Sequence, residues 1–127
     1  MKWVWIALIS FACGSSSESQ QQVSLIGNTQ LSELLKNKEV QLLDVRTPEE
    51  VNHGIIEHAI IIDIYDPEFD AKVNQLAKDK PVAIYCAAGG RSSKATEKLA
   101  MLGFRTIYDL ESGFRGWKAA GNPVVMP

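Results

Sequence analysis

The chain has 127 residues, 46% of them apolar and 22% charged, a balance that suits one folded domain of ordinary size. Its formal net charge is −2 and no run of Lys or Arg interrupts it, so the basic footprint of a nucleic-acid-binding protein is missing. Only two cysteines occur, Cys13 and Cys86, too few for the disulfide framework that staples small secreted domains, and the fold has to rest on its core.

Met1-Lys2 and the apolar run Trp3 to Ala12 form a one-charge n-region and a short h-region, well below the roughly 20 residues that span a bilayer. Residues 1–12 therefore read as a signal peptide. Cys13 and Gly14 follow, then the polar stretch Ser15 to Gln22, which carries too little apolar surface to fold, so residues 13–22 are expected to be a flexible tether and residues 23–127 the domain. Small Ala12 directly before Cys13 resembles the lipobox of bacterial lipoproteins. That resemblance implies that Cys13 is acylated and becomes the new N-terminus, which would hold the protein to a membrane of the bacterial cell envelope, periplasmic or surface-exposed. With Cys13 acylated, Cys86 is the one thiol left in the mature chain.

From Val23 onward, apolar runs of strand length alternate with segments of helical period, the pattern of βα units around a mostly parallel sheet, and the fold class is α/β. Thr29 is placed to cap a first helix with Leu31, Leu34 and Leu35 on one face, and Val40 to Val45 forms a central strand. Thr47-Pro48-Glu49-Glu50 supplies a cap, a proline at the first helical position and a glutamate three residues after the cap, opening a short helix that stops near Gly54. Ala59 to Ile62 is a further strand; Asp66-Pro67 breaks the chain, and Phe69, Val73 and Leu76 recur at helical spacing. Pro81 opens the strand Val82 to Tyr85. After it come Cys86-Ala87-Ala88-Gly89-Gly90-Arg91-Ser92 and a helix carrying Ala95, Leu99 and Leu102 that ends at Gly103. Thr106 to Leu110 is the last strand, and a closing segment punctuated by Gly113, Gly116, Gly121 and Pro123 sends Phe114 and Trp117 into the core.

A cysteine at the carboxyl end of a parallel strand, just before a helix N-terminus, sits where open α/β sheets bind ligands. The paired glycines Gly89 and Gly90 let the backbone curl so that successive N–H groups point inward, and with the positive helix end they make an anion cradle around the cysteine sulfur. The same field lowers a thiol pKa, and Arg91 adds fixed positive charge or holds an anionic substrate. A plain buried cysteine at a strand end is the ordinary fate of such a residue, but two glycines and an arginine behind it would be odd choices for a simple turn.

Residues 42–63, LLDVRTPEEVNHGIIEHAIIID, and 82–125, VAIYCAAGGRSSKATEKLAMLGFRTIYDLESGFRGWKAAGNPVV, resemble the single-domain rhodanese family over nearly the whole folded part. The resemblance implies a rhodanese-like three-layer fold, with a central sheet flanked by helices, and a sulfurtransferase. Cys86 would accept a sulfane sulfur as a persulfide, cradled by Ala87, Ala88, Gly89, Gly90, Arg91 and Ser92, and hand it to a thiol or cyanide acceptor. It implies that Asp44 and Arg46 form a structural pair, that Trp117 is a core residue, and that no metal and no cofactor beyond the sulfur is needed. The family's GHIPGA stretch stands here as Gly54-Ile55-Ile56-Glu57-His58-Ala59, which implies an altered loop with His53 and His58 on the surface. The resemblance implies a sulfurtransferase of the thiosulfate or polysulfide type; Ala87 and Ala88 replace the cationic or polar side chains that often follow the cysteine, which leaves recognition of a dianion such as thiosulfate open.

Three other functions compete. Rhodanese-like phosphatases and arsenate reductases set five residues between cysteine and arginine, whereas four separate Cys86 from Arg91, a loop fitted to one sulfur atom and tight for a tetrahedral oxyanion. A non-catalytic rhodanese module, docking a protein partner or sensing sulfur at the envelope, usually lacks the cysteine that this chain keeps. A thiol-disulfide exchanger would need a Cys-x-x-Cys pair or a resolving thiol, and neither is present.

Overall fold

The computed structural model describes residues 20–127; the expected signal peptide 1–12, the expected lipid site Cys13 and the expected tether up to residue 19 lie outside the described residues. Five strands, β1 (Gln22–Ile26), β2 (Gln41–Asp44), β3 (Ile60–Ile61), β4 (Val82–Tyr85) and β5 (Thr106–Leu110), alternate with five helices, α1 (Asn28–Leu34), α2 (Pro48–Val51), α3 (Phe69–Val73), α4 (Gly90–Met101) and α5 (Gly113–Ala119). The sheet order is β1-β5-β4-β2-β3 and every pairing is parallel. Gln22 already pairs with Thr106, so the sheet begins one residue before the domain start read from the sequence.

Alternation along the strands builds two cores, one on each side of the sheet. Leu43, Ile84 and Cys86 point to one face, where Phe69 and Val73 of α3 and Ala95 and Leu99 of α4 cover them. Leu42, Ala83 and Tyr85 point to the other, covered by Leu31 of α1 and by Phe114 and Trp117 of α5. All four residues of β4 are buried, as a central parallel strand with helices on both faces requires. This is the three-layer α/β arrangement expected.

Local chemistry explains most boundaries, and it corrects two expectations. Gly27, not Thr29, occupies the N-cap of α1, because the Gln30 side chain reaches back to accept the Gly27 N–H at 3.1 Å; Thr29 lies inside the helix. Thr47 and Glu50 close the expected box over α2, the glutamate Oε1 accepting from Thr47 Oγ1 at 3.1 Å. The helix of Phe69 is shorter than its apolar spacing suggested and ends at Val73, leaving Leu76 packed on the core from the loop beyond. At the other end of α4, Gly103 takes φ +93 and the Phe104 N–H returns to the Leu99 carbonyl at 3.1 Å, a glycine-terminated helix end. The closing segment forms α5, where burying Phe114 and Trp117, one turn apart, outweighs the helix cost of Gly113 and Gly116.

Candidate active site

Cys86 follows the last residue of β4, and the loop it opens ends at Gly90, the first residue of α4. Gly89 turns the chain with φ +104, and a side chain there would press a Cβ to 3.0 Å from the Glu111 carbonyl. With that turn made, the Gly89 N–H donates to Cys86 Sγ at 3.0 Å. The loop carbonyls are turned outward by α5: the Phe114 N–H donates to the Cys86 carbonyl at 2.7 Å and the Arg115 N–H to that of Ala87 at 3.1 Å. Gly113 makes this approach possible. Its φ is +62, and a Cβ would fall 2.4 Å from the Ala87 carbonyl oxygen. With the carbonyls held behind, amides are left facing the sulfur.

The electrostatic outcome is a thiol held below its ordinary pKa. Burial works the other way, since Cys86 is 1% exposed, but the Ser92 side chain and the backbone N–H groups of Ser92, Gly89 and Ala88 outweigh it. Ala87 and Ala88 present no polar side chain, and their small size leaves room for the loop to curl.

Arg91 is in the loop, but its guanidinium is committed elsewhere. Nη1 and Nη2 bind Glu50 Oε1 and Oε2 at 2.5 and 2.8 Å, joining α4 to α2. The hydrogen bond from Arg91, more than any other cause, holds the Glu50 carboxyl down at about 2, and Arg91 in turn is raised, first by that same bond. Arg91 thus braces the loop and does not reach into it as the bare anion-binding cation that its place in the sequence suggested.

Asp44 and Arg46 come together at the neighbouring strand end, 0% and 2% exposed. Arg46 Nε and Nη2 donate to the carboxylate at 3.0 and 2.8 Å, and Nη2 also reaches the Gly54 carbonyl at 2.8 Å. The guanidinium lies 4.0 Å from the centre of the Phe114 ring, so the pair fixes the residue whose N–H holds the Cys86 carbonyl. Its role is to brace the α5 end of the loop. Trp117 is 3% exposed and donates its ring N–H to the Pro123 carbonyl at 2.9 Å. His53 and His58 are both exposed, and His58 takes φ +66 where the GHIPGA stretch has its second glycine.

Nothing in the sequence marks Glu50, Asp109 or Gly113 as site residues. Glu50 reads as part of a helix cap and Gly113 as a chain break, and nothing local announces the Glu50 partner 41 residues away. Asp109 had a signal that alternation could have found: it shares the inward face of β5 with Ile107 and is 6% exposed.

Residues 27–120 match the rhodanese-like domain. The chain belongs to this family. A sulfurtransferase of Allochromatium vinosum is 33% identical over 106 residues, which cover 83% of this chain and 97% of that protein. The thiosulfate sulfurtransferase GlpE of Coxiella burnetii is 30% identical over 95 residues, 74% of this chain and 86% of the relative. Among solved structures, a rhodanese-related protein from Thermoplasma volcanium superposes with a TM-score of 0.73 at 38% identity, covering 82% of this chain and 99% of that one. The rhodanese-like domain and its cysteine loop thus account for nearly all of the described chain.

Proposed function

We propose that the protein is a sulfurtransferase that carries a sulfane sulfur on Cys86. The observation that supports this most strongly is the cradle itself: a depressed thiol whose sulfur accepts the Gly89 N–H at 3.0 Å, with the loop carbonyls turned away. The names of the relatives, a sulfurtransferase and a thiosulfate sulfurtransferase, agree with it.

The Cys86 thiolate attacks the outer sulfur of a donor; the new S–S bond forms as the donor's own bond to that sulfur breaks, and the leaving group departs with the electron pair. The persulfide left on Cys86 is anionic at its outer sulfur, and inward amides stabilise that charge as they do the thiolate. A thiol or cyanide acceptor then attacks the outer sulfur, the Cys86 S–S bond breaks, and the thiolate returns. The chemistry is group transfer on one nucleophile. With Ala87 and Ala88 beside the sulfur and Arg91 bound by Glu50, the loop offers little to a dianion, and a persulfide or polysulfide donor suits it better than thiosulfate.

Cyanide-dependent thiocyanate release from the full chain, with thiosulfate, thiocystine and polysulfide as donors, tests the assignment beside a Cys86→Ser control. Turnover with at least one donor and none in the variant is expected. Equal signals in both, or none from any donor, would leave a docking or sulfur-sensing module as the better account.

We further infer that residues 1–12 are a signal peptide and that Cys13 carries the lipid that holds the domain at the cell envelope. The support is the order of the residues alone: one charge, an apolar run, Ala12-Cys13, then a polar tether. Metabolic labelling with a radioactive fatty acid should mark the protein and fail in a Cys13→Ser variant; label retained by the variant would refute it.

A further inference from the structure

The two edges of the sheet are built differently. β3 is two residues long, with Glu57 shortly before it and Asp63 shortly after, the short and charged kind of edge that resists pairing with another sheet. β1 runs from Gln22 to Ile26 in unbroken one-to-one register with β5, with no bulge and no proline, and no charged residue stands anywhere from 19 to 32. The Gln22 N–H donates to the Arg105 carbonyl at 2.7 Å and the Glu111 N–H to the Ile26 carbonyl at 3.0 Å. Gln22, Ser24 and Ile26 therefore turn their backbone groups toward β5, and Val23 and Leu25 turn theirs outward. Among the described residues no strand lies beyond β1, and those outward groups have no partner. The side chains of the same two residues are uncovered as well: Val23 pairs with Ile107 and Leu25 with Asp109, on the face that α4 covers, yet they are 50% and 60% exposed. Gln21 holds the strand in place, its side-chain amide donating to the Ala100 and Phe104 carbonyls at 2.7 Å each.

We propose that β1 pairs antiparallel with β1 of a second copy of this chain, about a two-fold axis at Ser24. A second copy is the occupant because the edge is its own complement. Reversing the strand about Ser24 sets Val23 opposite the partner's Leu25, and Leu25 opposite the partner's Val23. Both residues carry outward backbone groups, so each of these pairs exchanges both of its N–H···O=C bonds. Ser24, whose backbone groups face β5, then meets the partner's Ser24 at the position between them, where antiparallel strands come closest. The same rotation gathers Val23 and Leu25 of both copies on the α4 face and covers apolar side chains that one copy alone leaves in water. Charge selects the same occupant: the neutral stretch repels no second copy and offers no counter-charge to an acidic or basic partner. One strand pair is small for a permanent dimer, so the association depends on concentration. The Cys86 loop follows β4, two strands in from this edge, so neither copy completes the active site of the other and the proposal stands apart from sulfur transfer.

The test is sedimentation of the full chain carrying Cys13→Ser, which removes any acyl group and any Cys13 disulfide, in mild detergent over a concentration series up to about 1 mM. The mass should double as concentration rises. Leu25→Lys, which sets a charge in the middle of the pairing but on the open surface of a single copy, should stay at the single-chain mass throughout. Hydrogen exchange locates the contact: the Val23 and Leu25 amides should exchange at least about tenfold more slowly in the doubled species than in the dilute chain. A single-chain mass at every concentration overturns the proposal, and so does a doubled species that survives Leu25→Lys or leaves those two amides unprotected. The exchange measurement needs no substitution in the domain, so it decides the matter even where Leu25→Lys fails to fold.

Discussion

At the scale of single residues, the site is a division of labour between backbone and side chains. Amides face the sulfur, and the charged side chains of Glu50 and Arg91 are occupied with each other. Their pairing has a consequence for acid stability. Glu50 titrates at about 2 in the folded protein against roughly 4.3 in an unfolded chain, so its contribution is complete above the unfolded value and is lost as pH falls toward 2. Denaturation followed from neutral to acid pH should show this loss, and Glu50→Gln should flatten it; an unchanged acid limb would mean that the pair contributes nothing to folding. The amide turn around Cys86 was legible because two glycines follow closely behind it in sequence. Where Arg91 points was not legible, since its partner belongs to α2 and only the packing of α2 against the start of α4 brings them together.

At the scale of elements, the loop is shaped by its neighbours as much as by its own glycines. Gly113 lets the start of α5 close on the loop, and replacing it with alanine combines a Cβ at 2.4 Å from a carbonyl oxygen with a left-handed backbone. Gly113→Ala is expected to cost about 2–5 kcal/mol of stability and, in the protein that still folds, to raise the Cys86 pKa as the amides move. Denaturant unfolding and the pH profile of Cys86 alkylation by iodoacetamide together check it; a stable variant with an unchanged profile would show that α5 does not shape the cradle. Strand β4 and helix α4 were readable from apolar runs and a glycine stop, because local preference and tertiary demand agree there. Helix α5 was not, because Gly113 and Gly116 argue locally for a loop and only the two buried aromatics argue for a helix. The same competition moved the cap of α1 from Thr29 to Gly27, where a glutamine rather than a hydroxyl satisfies the backbone.

At the scale of the whole molecule, a single parallel sheet covered on both faces places the carboxyl ends of its strands on one rim, and the loop after β4 lies at its centre. The strand-and-helix alternation made the α/β class readable, and the two motif stretches carried the family. The strand order, with β1 joined to β5 at the far edge, depends on crossovers that no local signal encodes. The proposed function turns on one event, the arrival of sulfur on Cys86. The most direct measurement is the intact mass of the full chain after exposure to a polysulfide donor, removal of excess donor, and later addition of cyanide. A gain of one sulfur atom, mapped to the Cys86 peptide, reversed by cyanide and missing from Cys86→Ser, is the result expected. An unchanged mass at Cys86, or a sulfur that cyanide leaves in place, would contradict it.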